Sequence, residues 1–197
     1  GSVVAGGKRH RLDSLACGSQ RKQFPVAGGV DDHNASFAAP GRDEAPAPGT
    51  EGVNLISGQY GDEAWGHAHL RVLAPASDVW AALQRPEVGV DRRRVRTFTS
   101  EPIEDPGADV AYVVHTRVEE LLTVEYDLTW RHRLVDGELS APESVAIRWQ
   151  KTFGSAIIER IAGSVGVYAE GDETRVEIVE ELVTPGTGAE DVEEVLL

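Results

Sequence analysis

The stretch "RVLAPASDVWAALQRPEV", Arg71 to Val88, decides how this chain is read. An alternating run of apolar and polar residues stops at Pro75. A segment with helical spacing, Val79, Trp80 and Leu83, begins at once. Ser77 or Asp78 is the expected N-cap, since a short polar side chain there can accept a hydrogen bond from an orphan N–H. The helix should stop before Pro86, because the residue ahead of a proline is pushed out of the α region. A short second helix or turn is expected around Glu87–Arg92.

Upstream of this corner, "GHAHLRVLA" (Gly66–Ala74) puts Ala68, Leu70 and Val72 on one face and His67, His69 and Arg71 on the other, as a half-buried strand does. Downstream the chain reads as β structure. "VRTFTSEP" (Val95–Pro102) and "DVAYVVHTRV" (Asp109–Val118) are strands. "TVEYDLTWRHRLV" (Thr123–Val135) alternates most clearly, and Asp136-Gly137 reads as the turn that ends it. "SVAIRWQKT", "SAIIERIAGSVGVYAE" and "TRVEIVEELVTP" follow, and "AEDVEEVLL" (Ala189–Leu197) reads as a helix start with acidic residues suited to its N-terminus. Strands segregated from helices and linked by hairpin-length turns give an α+β domain with a mostly antiparallel sheet. A sheet this long must twist and curl. Residues 63–197 are expected to form that domain. Residues 1–62, rich in Gly, Pro and Ala, read as a flexible segment in which "NLISGQY" (Asn54–Tyr60) is the part best able to pair or dock.

The net charge of −14 disfavours nucleic acid and anionic membrane surfaces as partners. No run approaches the roughly 20 apolar residues of a membrane span, so stable insertion is not expected. The single cysteine, Cys17, excludes an internal disulfide and a Cys-based metal site. The compartment is not legible, with a cytoplasmic setting slightly favoured.

Residues 66–197 resemble the START-like (SRPBCC) ligand-binding superfamily. The residues that carry the resemblance are "VLAPASDVWAALQRPE" (Val72–Glu87), "SVAIRWQKTFGS" (Ser144–Ser155) and "GDETRVEIVEELVTP" (Gly171–Pro185). The resemblance implies a helix-grip fold, a curved antiparallel sheet wrapped around a C-terminal helix. It also implies a hydrophobic small molecule or lipid held between the two, with no cofactor. Here only Ala189–Leu197 stand where the superfamily has a long helix, about 13 Å of helix. Val192, Val195, Leu196 and Leu197 then cap part of the groove, and the N-terminal segment or a second copy in a homodimer would cover the rest.

Alternation places Tyr126, Leu128, Trp130, Val145, Ile147, Trp149, Val176 and Ile178 on the concave face, as core or as cavity lining. The expected ligand contacts are Tyr126, Leu128, Trp130, Ile147, Trp149, Val176 and Ile178. By the same parity His132, Lys151 and Glu180 face inward. A buried Lys and Glu would have to pair, and a His beside them could move protons. That is the basis of an alternative reading as a polyketide cyclase/dehydrase-like enzyme. The bland reading leaves all three at the rim. A further alternative is a protein-interaction domain like the Hsp90 activators. His67 and His69 have metal-ligand spacing but no third ligand at a recognisable interval, so they are expected to face solvent and no metal is expected.

Overall fold

A computed structural model describes residues 52–91, 93–119 and 123–196. The expectations placed on residues 1–51 lie outside these. The elements are β1 (Val53–Tyr60), β2 (Glu63–Val72), α1 (Ala76–Leu83), α2 (Pro86–Gly89), β3 (Val95–Pro102), β4 (Val110–Glu119), β5 (Thr123–Glu138), β6 (Ala141–Gly154), β7 (Arg160–Glu170), β8 (Glu173–Val183) and α3 (Ala189–Leu196). The strands form a single antiparallel sheet in the order β1-β2-β8-β7-β6-β5-β4-β3. This is the α+β layout that the strand and helix order implied, with the helix-grip arrangement that the resemblance implied.

Three local details differ from the sequence expectation, each for a physical reason. "NLISGQY" is a full strand: β1 pairs with β2 along its whole length, from Val53 opposite Leu70 to Tyr60 opposite Glu63, so the sheet begins ahead of residue 63. The N-cap of α1 is Pro75, not Ser77 or Asp78. Pro75 is extended (φ −61°, ψ 150°), and its carbonyl accepts hydrogen bonds from the N–H groups of Asp78 and Val79. Proline's fixed φ and this carbonyl start the helix with no side-chain cap. Asp136-Gly137 is not a turn but part of β5: the register shifts there as in a bulge, Gly137 takes φ +90°, and the chain reverses only at residues 139–140.

The core lies where α1 packs on the middle of the sheet. Val79 and Trp80 of α1 join Val145, Ile147, Val165, Val167 and Val176 in one buried cluster. Burying a side chain the size of Val79 there contributes on the order of 2 kcal/mol. The short α3 covers a different region, the β1–β2–β8 end. Val192 is buried and Leu196 rests over Gly66. The Gly188 N–H, donating to the Asp191 carboxylate at 2.9 Å, caps the start of α3.

Candidate functional site

The register of the sheet sets out one row of residues across its concave face. Tyr112 on β4 pairs with Trp130 on β5, Trp130 with Trp149 on β6, and Trp149 with Gly163 on β7. Gly163 pairs with Glu180 on β8, Glu180 with Gly66 on β2, and Gly66 with Ser57 on β1. Directly paired residues share a face, so this row is continuous.

The row is aromatic at one end and helical at the other. The Trp130 and Trp149 rings stack with centroids 4.7 Å apart, and Tyr112 stacks on Trp130 at 6.2 Å. Trp149 lies across Gly163 so closely that a Cβ there would sit 2.1 Å from its ring. On the far side of Glu180, a Cβ at Gly66 would meet Leu196 at 2.5 Å and Val192 at 2.9 Å. A side chain at Gly163 would collide with the indole, and one at Gly66 would displace Leu196 and press on Val192 of α3. Glu180 stands between the two, with the Trp149 indole on one flank and α3 on the other.

This position changes the chemistry of Glu180. Burial pushes its carboxyl pKa up to about 7, and the negative charge of Asp91 adds to the rise. The Tyr126 hydroxyl is also driven up, to about 12, by burial first and then by Glu180 and Asp91, while a hydrogen bond with Thr116 acts the other way. Glu180, Asp91 and Tyr126 thus form an electrostatically coupled group on the concave face. Asp91 opens the segment that follows α2. Arg94 donates to the Glu194 carboxylate at 2.7 Å and lies 3.6 Å from Asp191, and Arg93 donates to the Glu194 backbone carbonyl. The segment after α2 is thereby tied to α3.

The other two inward-facing candidates have different surroundings. His132 is fully buried, with Nε2 3.4 Å from the Tyr112 hydroxyl, and burial lowers its pKa to about 4. It is neutral at pH 7 and packed into the core. Lys151 does not pair with Glu180. Its Nζ donates to the carbonyls of Ser155 at 2.8 Å and Ile158, tying down the loop between β6 and β7. Of the expected ligand contacts, Leu128, Trp130, Ile147, Trp149 and Val176 are buried in the core cluster, while Tyr126 and Ile178 are partly buried beside it. Tyr126 also lines an open hollow of about 700 Å³ at the β3–β6 end of the sheet, with Phe98, Thr116, Gly154 and Ser155.

The convex face holds what sequence reasoning missed. His67 and His69 do not face solvent: they are 2 % and 7 % exposed. Glu177 of β8 stands directly opposite His69, and His67 Nε2 lies 2.8 Å from Glu177 Oε1. Burial alone would raise the Glu177 pKa, but the hydrogen bond with His67 and the nearby imidazole of His69 outweigh it and hold the carboxyl below its usual range. The third member lies 110 residues from His67, and only the β2–β8 pairing could have revealed it.

No protein-family model and no curated protein matches the chain. Solved structures of START/SRPBCC-type folds are similar to it in layout. One is a STAR-related lipid transfer protein fragment from Xanthomonas axonopodis, with 14% identity and a TM-score of 0.48, covering 73% of this chain and 83% of that one. Another is the Zhui aromatase/cyclase from Streptomyces sp. R1128, with 14% identity and a TM-score of 0.42, covering 74% and 82%. A third is norcoclaurine synthase from Thalictrum flavum in complex with dopamine and hydroxybenzaldehyde, with 18% identity and a TM-score of 0.38, covering 74% and 77%. These likenesses concern the layout of the chain alone.

Proposed function

We propose that this domain binds a hydrophobic small molecule on the concave face, between the Trp149–Tyr126 side and α3, and that the Glu180 carboxyl is its polar anchor. The observation that carries the reading is the place of Glu180, a carboxyl between an indole and a helix on the concave row, where burial pushes its pKa up to about 7. Small-molecule sites combine apolar walls with a few placed polar groups. A protonated carboxyl in such a wall donates one hydrogen bond, which suits a carbonyl or hydroxyl oxygen on an otherwise apolar ligand. Two buried polar atoms without hydrogen-bond partners add to the support: Trp130 Nε1, a donor, on the same row, and Asp91 Oδ2, an acceptor, in the coupled group.

The test is native mass spectrometry of the purified full chain with solvent extraction, alongside titration with the apolar dye 1-anilinonaphthalene-8-sulfonate. A copurifying apolar molecule, or saturable dye binding that Trp149→Ala weakens, supports the reading. No extractable molecule, together with dye binding that Trp149→Ala leaves unchanged, would sink it.

A second reading, proton-transfer catalysis, rests on the same carboxyl, because a pKa near the working pH suits a general acid or base. Of the three inward-facing candidates, Glu180 favours it, while His132 is enclosed and Lys151 is occupied by backbone carbonyls. Once a ligand is identified, its conversion by the native chain and not by Glu180→Gln separates catalysis from carriage.

A further inference from the structure

On the convex face, away from the proposed ligand, we infer that His67, His69 and Glu177 form a binding site for a divalent transition-metal cation of the zinc class.

Two histidines at i and i+2 on a strand present their rings on one face. The paired strand supplies the carboxylate directly opposite the second of them. One ligand atom from each residue lies within 4.8 Å of the others, and this is the one such group of three found among the described residues. The approaches to Glu177 Oε1 are 2.8 Å from His67 Nε2 and 3.2 Å from His69 Nε2. Ligand atoms about 2.1 Å from a tetrahedral zinc stand roughly 3.4 Å apart, so small side-chain shifts would admit the ion. Two neutral imidazoles and a carboxylate are a donor set that zinc favours, with a fourth position left open.

A plain hydrogen-bonded cluster explains part of this arrangement. It accounts for His67, whose Nε2 is in good hydrogen-bond contact with Glu177. It does not account for His69. That side chain is 9 % exposed, and neither Nδ1 nor Nε2 has a hydrogen-bond partner: the 3.2 Å approach to Glu177 is out of line for one. Buried polar atoms are nearly always satisfied, and two on one ring call for a cause. A cation accepting the Nε2 lone pair supplies one for that atom.

The surroundings suit a metal ligand as well. Glu177 uses Oε1 toward both histidines, while Oε2 faces Arg175 at 3.7 Å. Arg175 is itself held over the Tyr168 ring, 4.0 Å from its centroid, and donates to Glu170 at 3.1 Å. It places its charge beside the oxygen that would not bind the ion, as partners behind metal ligands commonly do. Asn54 stands opposite His69 on β1, and water would supply the fourth ligand. The ion would link β2 to β8, the junction that joins the N-terminal hairpin to the rest of the sheet.

The experiment uses the full chain, stripped with a chelator and dialysed. Zinc is titrated calorimetrically, and Co²⁺ serves as an optical probe. The expected result is one saturable equivalent of zinc, a rise in Tm on loading, and the strong visible bands of four-coordinate Co²⁺. His69→Gln and Glu177→Gln should each weaken binding by about tenfold or more. Circular dichroism checks that the variants fold, and the Co²⁺ spectrum of the native chain tests the site without any variant. Spectra of six-coordinate hydrated Co²⁺ only, or zinc binding that both folded variants retain in full, would overturn the assignment. Retention would place the metal on histidines elsewhere in the chain.

Discussion

Glu177 and Glu180 lie three residues apart on β8, and the sheet turns them to opposite faces. On the convex side Glu177 meets two imidazoles and is held as a carboxylate below the usual pKa range. On the concave side Glu180 meets an indole, a helix and the charge of Asp91, and its pKa rises to about 7. The same residue type on the same strand is a fixed anion on one face and a proton-holding acid on the other. Odd spacing along a strand, and not sequence composition, decides which chemistry each carboxyl performs.

The most severe way to break this contrast is to disturb the concave row. Gly163→Val should drive a branched side chain into the Trp149 ring, where even a Cβ would sit at 2.1 Å. The expected cost is about 3 kcal/mol, measured by urea unfolding with tryptophan fluorescence, while the convex trio keeps its metal response. Loss of less than half that figure would show that Trp149 moves freely.

Glu180→Gln sharpens the contrast next. A carboxyl whose folded pKa is raised from 4.5 to about 7 contributes stability that is fully present below pH 4.5 and lost as pH rises through about 7. Gln has no charge to bury. The variant should match the native chain near pH 4.5 and exceed it by roughly 2 kcal/mol at pH 8, a figure discounted for the partial exposure of the group. Parallel stability–pH curves for the two proteins would refute this. His132 works in the opposite direction. Its folded pKa is lowered from 6.5 to about 4, so its contribution is present above pH 6.5 and lost as pH falls toward 4.

Glu177→Gln should do the reverse of Glu180→Gln. Removing the negative charge leaves His67 with a weaker acceptor and takes away the charge that His69 lies against, and should destabilise the metal-free protein by about 1 to 2 kcal/mol at pH 8. A gain in stability would show that the two faces do not differ as described. The smallest effect is expected from Arg94→Ala, which unties the segment after α2 from Glu194 and Asp191. Arg94 is substantially exposed, so the change should cost about 0.5 kcal/mol. It should show instead as faster hydrogen exchange in α3, and unchanged exchange there would remove the tie from consideration.

Alternation along β5 and β6 was legible because a half-buried strand must show it, and it put Trp130, Trp149 and His132 on the face where they are found. The corner at Pro75 was legible in position but not in its cap, since the hydrogen bonds run to a backbone carbonyl that no side chain announces. The inward direction of Glu180 followed from parity, but its neighbours did not: Trp149, Gly163 and Gly66 come from three other strands. A buried Lys151 and Glu180 would have had to pair, but Lys151 donates instead to the carbonyls of the loop after β6, which parity along the strand does not reveal. His67 and His69 were misplaced outright, because a lone strand with charged neighbours looks solvent-facing until β8 is laid beside it.

By itself, then, the sequence determined an α+β chain, a long antiparallel sheet, the proline corner and the side of each strand on which a residue falls. These are local properties, written in spacings of two and near four residues. The tertiary structure alone decided that Glu177 would have two histidines and Glu180 none. That outcome depends on strand order, on β2 lying against β8 with one register rather than another. A shift of a single residue would have exchanged the two faces and, with them, the two carboxyls.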